Sequence, residues 1–255
     1  MIYLLVGRAK TMAMLSNLMF FDQMTGISNE TGLTRYMGMT LAQGRFAEHC
    51  SNFLNIKNMK LINSRYSDDA GDAVMLGYAK ALDTFVKERD IGIAARLGGD
   101  NFLVFVEKKF EDEFIEFVKN IEISYKKPSG IEVNIKVESR VGMYFIKPGD
   151  GINEAMRSAD VASKLARNTN YPDYVKFEDS MMTHIIKMRQ LEMNIPIAIE
   201  KKEFVVYYQP KVDISTEGIY VLNGAEALVR WVKAGEMVSP GEFIPVLEKS
   251  GLVSL

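Results

Sequence analysis

Two glycines, an acid and an amide stand in a row at Gly98-Gly99-Asp100-Asn101, with an apolar run on each side. The runs Ile91–Leu97 and Phe102–Val106 predict two strands, so the polar residues fall at the tip of a hairpin. Because glycine has no Cβ, backbone at such a tip can come very close to a ligand. A carboxylate there can hold a cation against a phosphate, whereas an amide takes up no proton and adds no charge. The tip is therefore suited to a nucleotide, or it is a plain structural hairpin made of good turn residues.

The composition is ordinary for a globular protein of 255 residues, with 47% hydrophobic and 25% charged residues. The length allows one large domain, or one domain and part of another. The formal net charge of −2 provides no global basic field, so we expect no nucleic-acid partner. The single cysteine, Cys50, excludes an intrachain disulfide and a Cys-rich zinc site and favours a reducing cytoplasm. The two histidines, His49 and His184, have no second ligand near them in the sequence, which argues against a histidine metal centre.

The predicted elements alternate between helices and strands up to about residue 178. Five helices are predicted, at Thr31–Gln43, Lys60–Tyr66, Asp72–Glu88, Glu111–Tyr125 and Gly151–Arg167, and the Asp72–Glu88 helix shows the apolar periodicity of one buried face. Strands are predicted at Phe46–Ile56, at the central hairpin, at Ile131–Ile146 as one long or two short strands, and at Tyr174–Phe177. This order is typical of an α/β (α+β) sandwich with helices packed on a central, mostly antiparallel sheet.

Both ends of this unit are flanked by predicted helices. The segment Ile2–Phe21 is apolar, but charged residues interrupt it, so we expect an amphipathic lead-in helix rather than a membrane span. The stretch Glu178–Lys202 predicts one long linker helix with a kink at Pro196. Two strands, Val205–Val212 and Ile219–Val232, and the start of a helix from Pro240 are expected after it.

Five separated segments resemble, in order and spacing, the motifs of GGDEF domains. They are Asp22-Gln-Met-Thr-Gly-Ile-Ser-Asn29, Asn55-Ile-Lys-Asn-Met-Lys60-Leu-Ile-Asn63, Gly71-Asp72, Gly98-Gly-Asp-Asn-Phe102 and Ala159-Asp160-Val-Ala162. Three later segments resemble the beginning of an EAL domain, namely Tyr208-Gln-Pro-Lys-Val212, Gly224-Ala-Glu-Ala-Leu-Val-Arg-Trp231 and Ser239-Pro-Gly-Glu-Phe-Ile-Pro245. The resemblance divides the chain into a lead-in helix (1–21), a nucleotidyl-cyclase-like GGDEF domain (22–178), a linker helix (179–203) and the N-terminal fragment of a TIM-barrel-like EAL domain (204–255).

GGDEF domains make cyclic di-GMP from GTP, and EAL domains hydrolyse it. The resemblance implies that Asn63 and Asp72 hold guanine, with Gly98 and Gly99 in the same nucleotide site. Without the resemblance, Asn63 is equally well a turn residue and Asp72 a helix cap. Lys60 matches a lysine that contacts phosphate, or it is a solvated surface lysine.

The metal site departs from the family pattern. Family members bind two Mg²⁺ ions, and the matching ligands here are Asn55, the carbonyl of Ile56 and Asp100. Asn101 replaces the acid that helps to hold metal and to activate the attacking hydroxyl, so we assign no catalytic residue. Mg²⁺ prefers carboxylate and phosphate oxygens, and we expect it to bind weakly or not at all in this site. Arg167 takes the place of a phosphate-binding lysine, and Tyr171 that of an arginine.

Two further sites are implied by the resemblance. At the family's product-inhibition site, Arg89 is in place but Gly92 replaces the aspartate, so we expect this site to be broken. In the EAL segment, Glu226 matches a ligand for Mg²⁺ or Mn²⁺, and Gln209 and Arg230 match substrate contacts. The remaining EAL ligands are expected beyond Leu255, so this site is predicted to be incomplete.

Three functions are consistent with these residues. The first is a degenerate GGDEF domain that binds GTP or another guanine nucleotide and regulates an attached EAL phosphodiesterase, through which the full-length protein binds cyclic di-GMP. The second is an active diguanylate cyclase with atypical metal ligands. The third is a structural module that forms a homodimer and relays a signal through its flanking helices. We expect a cytoplasmic domain, and an anchor upstream in the full-length protein is left open.

Overall fold

The computed structural model of the chain describes residues 14–167, 171–216 and 219–251. Two compact units are present, one up to Glu178 and one from Asp179. Of the predicted lead-in helix, residues 14–20 are helical, and residues 2–13 lie outside the described part. None of the described helices is both long enough and apolar enough to cross a membrane.

The first unit alternates helices with strands, as the sequence predicts. Its helices are α1 (residues 14–20), α2 (Glu30–Ala42), α3 (Met59–Arg65), α4 (Asp68–Glu88), α5 (Glu111–Lys119) and α6 (Ile152–Leu165). Its strands are β1 (His49–Ile56), β2 (Gly92–Gly98), β3 (Asn101–Glu107), β4 (Glu122–Lys126), β5 (Glu132–Lys136), β6 (Ser139–Phe145) and β7 (Tyr174–Lys176).

The central sheet has the strand order β2-β3-β1-β6-β7. Only the β6–β7 pair is parallel, so the predicted mostly antiparallel sheet is confirmed. Helices cover both faces, and β3 shows this best because consecutive side chains of a strand point to opposite faces. Phe102 and Val104 are buried in the core formed with α4 and α5, and Leu103 and Phe105 in the core formed with α2 and α6.

Three boundaries predicted for the first unit are wrong by three or more residues. The helix expected over Glu111–Tyr125 ends at Lys119 and is followed by β4, where partly buried and exposed residues alternate with the period of a strand. The strand expected from Phe46 begins at His49, after a short 3₁₀ helix. The helix expected from Asp72 begins at Asp68, because the Ser67 side chain accepts a hydrogen bond from the Ala70 N–H and caps it.

The second unit consists of a helix, a three-stranded sheet and a second helix. Its elements are α7 (Asp179–Glu200), β8 (Phe204–Thr216), β9 (Ile219–Lys233), β10 (Glu236–Val238) and α8 (Pro240–Ser250). Pro196 lies within α7. Trp231 and Phe243 are fully buried in its core, and the Trp231 Nε1 donates to Glu203.

Candidate functional site

Two asparagine side chains face each other where β1 meets β3. The antiparallel register pairs Asn55 with Asn101, which places both side chains on the same face of the sheet. The Nδ2 atom of Asn55 donates to the Oδ1 atom of Asn101 at 3.1 Å, and the Nδ2 atom of Asn101 donates to the Gly98 carbonyl at 3.2 Å. The sheet therefore brings together the two residues that stand at carboxylate positions of the family pattern.

Arg167 reaches the same amide pair from the residues that follow α6. Its Nη2 atom lies 3.3 Å from the Oδ1 atom of Asn101. A guanidinium offers only donors, so the Asn101 atom that faces it is the amide oxygen. Tyr171, which stands at the arginine position of the family pattern, is half-buried. It follows residues 168–170 in the sequence, which lie outside the described part.

These residues do not fit a pair of magnesium ions. The Asn101 oxygen already accepts from two N–H donors, one of which carries a full positive charge. Asp100 keeps one carboxylate, and its backbone carbonyl accepts a hydrogen bond from the Ile56 N–H at 3.1 Å, so these two residues of the family pattern are adjacent. Among the described residues, no group of three or more His, Cys, Asp or Glu side chains could hold a metal ion. A guanidinium and two amides thus occupy a position where carboxylates and Mg²⁺ would be required.

The hairpin tip has the open backbone that the sequence predicts. Gly98 and Gly99 have φ values of 117° and 55°, a region that favours glycine over other residues. A Cβ atom at Gly98 would meet nothing within 4 Å, and one at Gly99 would lie 3.9 Å from the Nδ2 atom of Asn101. The exposed tip is therefore next to the amide pair and accessible to a ligand.

Arg96 fixes the tip, a role that the sequence analysis did not assign. Its Nε and Nη2 atoms donate to the Gly99 carbonyl at 3.0 and 2.8 Å, and its Nη1 atom contacts both carboxylate oxygens of Asp22 at 3.0 and 3.1 Å. Partial burial opposes ionisation of Asp22, but hydrogen bonds from Thr25 and Arg96 outweigh it and lower the pKa of the carboxyl. Asp22 opens the first GGDEF-like segment, and Arg96 comes just before the glycine pair. The opposite charges of these two residues are the sequence signal that could have linked the two segments.

The two proposed guanine-binding residues lie close together. Asn63 is inside α3, and Asp72 is exposed in the second turn of α4, so neither is the turn residue or cap that was the alternative. The Oδ1 atom of Asn63 is buried without a hydrogen-bond partner. It lies against Gly71, since a Cβ atom there would come within 1.9 Å of it. Asn63 thus presents an unused acceptor beside the residue that precedes Asp72, and Lys60 is exposed one turn earlier in α3.

The product-inhibition position is closed by the backbone itself. A Cβ atom at Gly92 would lie 1.9 Å from the Phe105 carbonyl oxygen, so no aspartate fits there without a shift of the sheet. Arg89 ends α4, with its Nε atom 3.1 Å from Glu113 and its guanidinium carbon 4.3 Å from the centre of the Phe85 ring. Both residues have structural roles.

Within the second unit, the three EAL-type residues share one face of the β8–β9 hairpin. Gln209 pairs directly with Glu226 across the two strands, and Arg230 follows Glu226 by four residues on β9, which returns to the same face. The Glu226 carboxylate forms an ion pair with Lys211 at 3.2 Å. The hairpin therefore groups the residues that resemble a metal ligand and two substrate contacts.

Two family models match the chain in succession. The model of the diguanylate cyclase GGDEF domain matches residues 19–171, and that of the EAL domain matches residues 192–255.

Two bacterial signalling or nucleotide-metabolising proteins are similar to most of this chain. The chain is 30% identical over 207 residues to the bifunctional diguanylate cyclase/cyclic di-GMP phosphodiesterase MucR of Pseudomonas aeruginosa, covering 79% of this chain and 29% of MucR. It is 34% identical over 207 residues to the signaling protein YkoW of Bacillus subtilis, covering 79% of this chain and 25% of YkoW. The chain thus spans less than a third of the length of these relatives.

Solved structures share the fold. An S helix-GGDEF-EAL structure of Vibrio cholerae LapD, bound to c-di-GMP, aligns with a TM-score of 0.54 and 16% identity over 96% of this chain and 57% of LapD. The Pseudomonas aeruginosa diguanylate cyclase SiaD aligns with a TM-score of 0.51 and 20% identity over 68% of this chain and 67% of SiaD. Together with the matching family models, this fold shows that the chain belongs to the GGDEF family, with EAL-domain sequence following in the tandem order found in proteins of cyclic di-GMP signalling.

Proposed function

We propose that the GGDEF domain of this chain binds GTP or another guanine nucleotide and does not convert it to cyclic di-GMP. The observation that carries the proposal is the buried, unpartnered Oδ1 atom of Asn63 next to Gly71. A buried acceptor without a partner costs about 1–3 kcal/mol, so a ligand donor toward which the Asn63 side chain can turn, such as the amino group of guanine, would remove this cost. The Asp72 carboxylate can accept from guanine N1 and the same amino group, and Lys60 can contact a phosphate.

The amide pair supports the loss of catalysis. In-line phosphoryl transfer depends on cations that neutralise the developing charge and on a group that activates the nucleophile. The Asn101 amide cannot take a proton, and its oxygen is bonded to Asn55 and Arg167. These contacts oppose the alternative of an active cyclase with atypical metal ligands.

Regulation of an EAL phosphodiesterase in the full-length protein is the role that we propose for this binding. Gln209, Glu226 and Arg230 share one face and would contribute substrate contacts and one ligand for Mg²⁺ or Mn²⁺ to a complete EAL site that binds cyclic di-GMP. The cytoplasm is the compartment that fits both GTP and the single buried free cysteine, Cys50.

A structural relay is the second candidate, and exposed apolar residues of α1 favour it. Met14, Leu15 and Met19 are 67%, 56% and 57% exposed, and such side chains commonly mark a surface for helix pairing. In this case a homodimer would form through α1 without any nucleotide.

Calorimetric titration of GTP into the whole chain tests the proposal, beside the variant Asp72→Ala and the control Asp69→Ala. Asp69 is exposed in the first turn of the same helix, so the control removes a similar charge three residues away. We expect saturable binding of GTP, binding at least about tenfold weaker in Asp72→Ala, and unchanged binding in the control. A flat trace for the wild-type chain, with dimerisation intact, would overturn the proposal in favour of the relay.

A further inference from the structure

A positive charge that belongs to the protein lies where the family pattern implies metal ions. Arg167 is exposed, and its contact with the Oδ1 atom of Asn101 uses one of five N–H donors. The remaining donors of the planar guanidinium match the geometry of a phosphate group, which binds such a fork through two oxygens.

The surrounding charges favour a phosphate without added metal. A carboxylate close to a phosphate repels it, and a divalent cation is then needed between the two. Here two of the three acidic positions carry the neutral amides Asn55 and Asn101, and Asp100 is the carboxylate that is left. Each amide nitrogen carries two N–H groups, and one of the two is used in the bonds to Asn101 and Gly98. The amide pair therefore has further donors for phosphate oxygens.

Neighbouring cations are engaged in ion pairs. Arg96 contacts Asp22, Lys164 contacts Asp160 within α6, and Lys57 contacts Glu138 and Asp173. Arg140, the cross-strand neighbour of Asn55, lies 3.9 Å from Asp173. Among the described residues near the tip, Arg167 is the cation that hydrogen-bonds to the amide pair and still has donors available.

We infer that this site binds the phosphates of its nucleotide without a divalent cation, with Arg167 providing the positive charge. This inference rests on the proposed guanine nucleotide binding. It adds that Mg²⁺ is not a component of the complex. The hairpin tip allows the phosphates to approach, since Gly98 leaves open space beside the amide pair.

The test compares the binding of GTP and of inorganic triphosphate to the whole chain, in Mg²⁺ and in EDTA. For both ligands, we expect dissociation constants in the two buffers that agree within about threefold, because the Arg167 charge needs no metal. We expect Arg167→Gln to weaken the binding of both ligands by at least about tenfold and to leave the binding of guanosine unchanged. Arg157→Gln is the matched control on α6, and we expect wild-type affinities from it.

The outcomes separate this inference from the proposed function. GTP that binds only with Mg²⁺, or that binds equally well to Arg167→Gln, would overturn the inference and leave guanine binding intact. Triphosphate that binds in EDTA through Arg167, with GTP binding no more tightly than triphosphate and guanosine not binding, would support the phosphate site and contradict the guanine site. If neither GTP nor triphosphate binds, both the proposed guanine binding and the metal-free phosphate site are wrong.

Discussion

Asn55 and Asn101 stand directly opposite each other on β1 and β3, and their side-chain amides are joined by a hydrogen bond of 3.1 Å. Opposed residues of an antiparallel pair have Cβ atoms about 4.5–5.5 Å apart. Two carboxylates at this separation repel each other unless a cation lies between them, whereas two amides can bond directly. The same backbone thus forms a closed polar contact where the family pattern implies a metal site.

Restoring both acids is expected to restore a need for metal. In EDTA, the double variant Asn55→Asp/Asn101→Asp should unfold more easily than the wild-type chain, by about 1 kcal/mol, because like charges then face each other. Millimolar Mg²⁺ should reverse this loss in the variant and leave the wild-type chain unchanged. Urea unfolding in both buffers provides the measurement, and stabilisation of the wild-type chain by Mg²⁺ would contradict our account of the amide pair.

Removing Arg96 should destabilise the first unit, because its ion pair is largely shielded from water. The side chains of Arg96 and Asp22 are 13% and 19% exposed. Arg96→Ala removes both side-chain donors to the Gly99 carbonyl and leaves the partly buried Asp22 carboxylate with the donors of Thr25 but without its cation. We expect a loss of about 2–3 kcal/mol in the free energy of unfolding. Arg157→Ala breaks an exposed pair with Glu154 and should cost at most about 0.5 kcal/mol. Equal effects of the two variants in urea unfolding would show that Arg96 does not brace the tip.

The stability of the fold should depend on pH through Glu111. Burial raises the pKa of this carboxyl above its ordinary value of 4.5, although Cys50 and Asn52 donate to it. Between 4.5 and the raised pKa the native state binds more protons than the unfolded state, so stability falls as the pH rises through this window and then levels off.

In the variant Glu111→Gln this side chain is neutral at every pH, so the variant should not show this fall in stability with pH. Burial lowers the pKa of His49 from 6.5, which makes stability rise with pH between the lowered pKa and 6.5, so the difference between wild type and variant is the relevant quantity. Thermal unfolding over this pH range measures it. A difference that is constant with pH would refute the assignment.

Two glycines should respond oppositely to the same substitution. Gly92→Ala places a Cβ atom 1.9 Å from the Phe105 carbonyl oxygen and should destabilise the sheet by about 1–3 kcal/mol. Gly38→Ala lies within α2, where the nearest atom to a new Cβ is 3.8 Å away, and should stabilise by about 0.5–1 kcal/mol. Unfolding by urea distinguishes them, and a neutral Gly92→Ala would contradict the claim that the backbone leaves no room for a Cβ atom at this position.

Periodicity and turn residues were sufficient to predict most elements of the first unit, because amphipathic helices and alternating strands bury one face each. The failures have local causes. The helix predicted through Tyr125 ends at Lys119, because partly buried Ile123 and Tyr125 alternate with exposed residues at the period of a strand. The helix α4 begins four residues before its predicted start, because Ser67 caps it, and serine is also a common turn residue.

The site was only partly predictable. Residue types identified the asparagine substitutions and the hairpin tip. The contact of Arg167 with Asn101, the link between Asp22 and Arg96 and the closed backbone at Gly92 depend on residues that are far apart in sequence. Such contacts follow from strand register and helix placement, which a local pattern does not contain.

Equilibrium dialysis of radiolabelled GTP against the whole chain, with Mg²⁺ present and with the bound label then identified by chromatography, tests the central claim most directly. Our account predicts saturable retention of the label and its recovery as unchanged GTP, since we propose that Asn63 and Asp72 hold guanine and that the amide pair does not support phosphoryl transfer. Recovery of the label as cyclic di-GMP, or the absence of saturable retention, would contradict it.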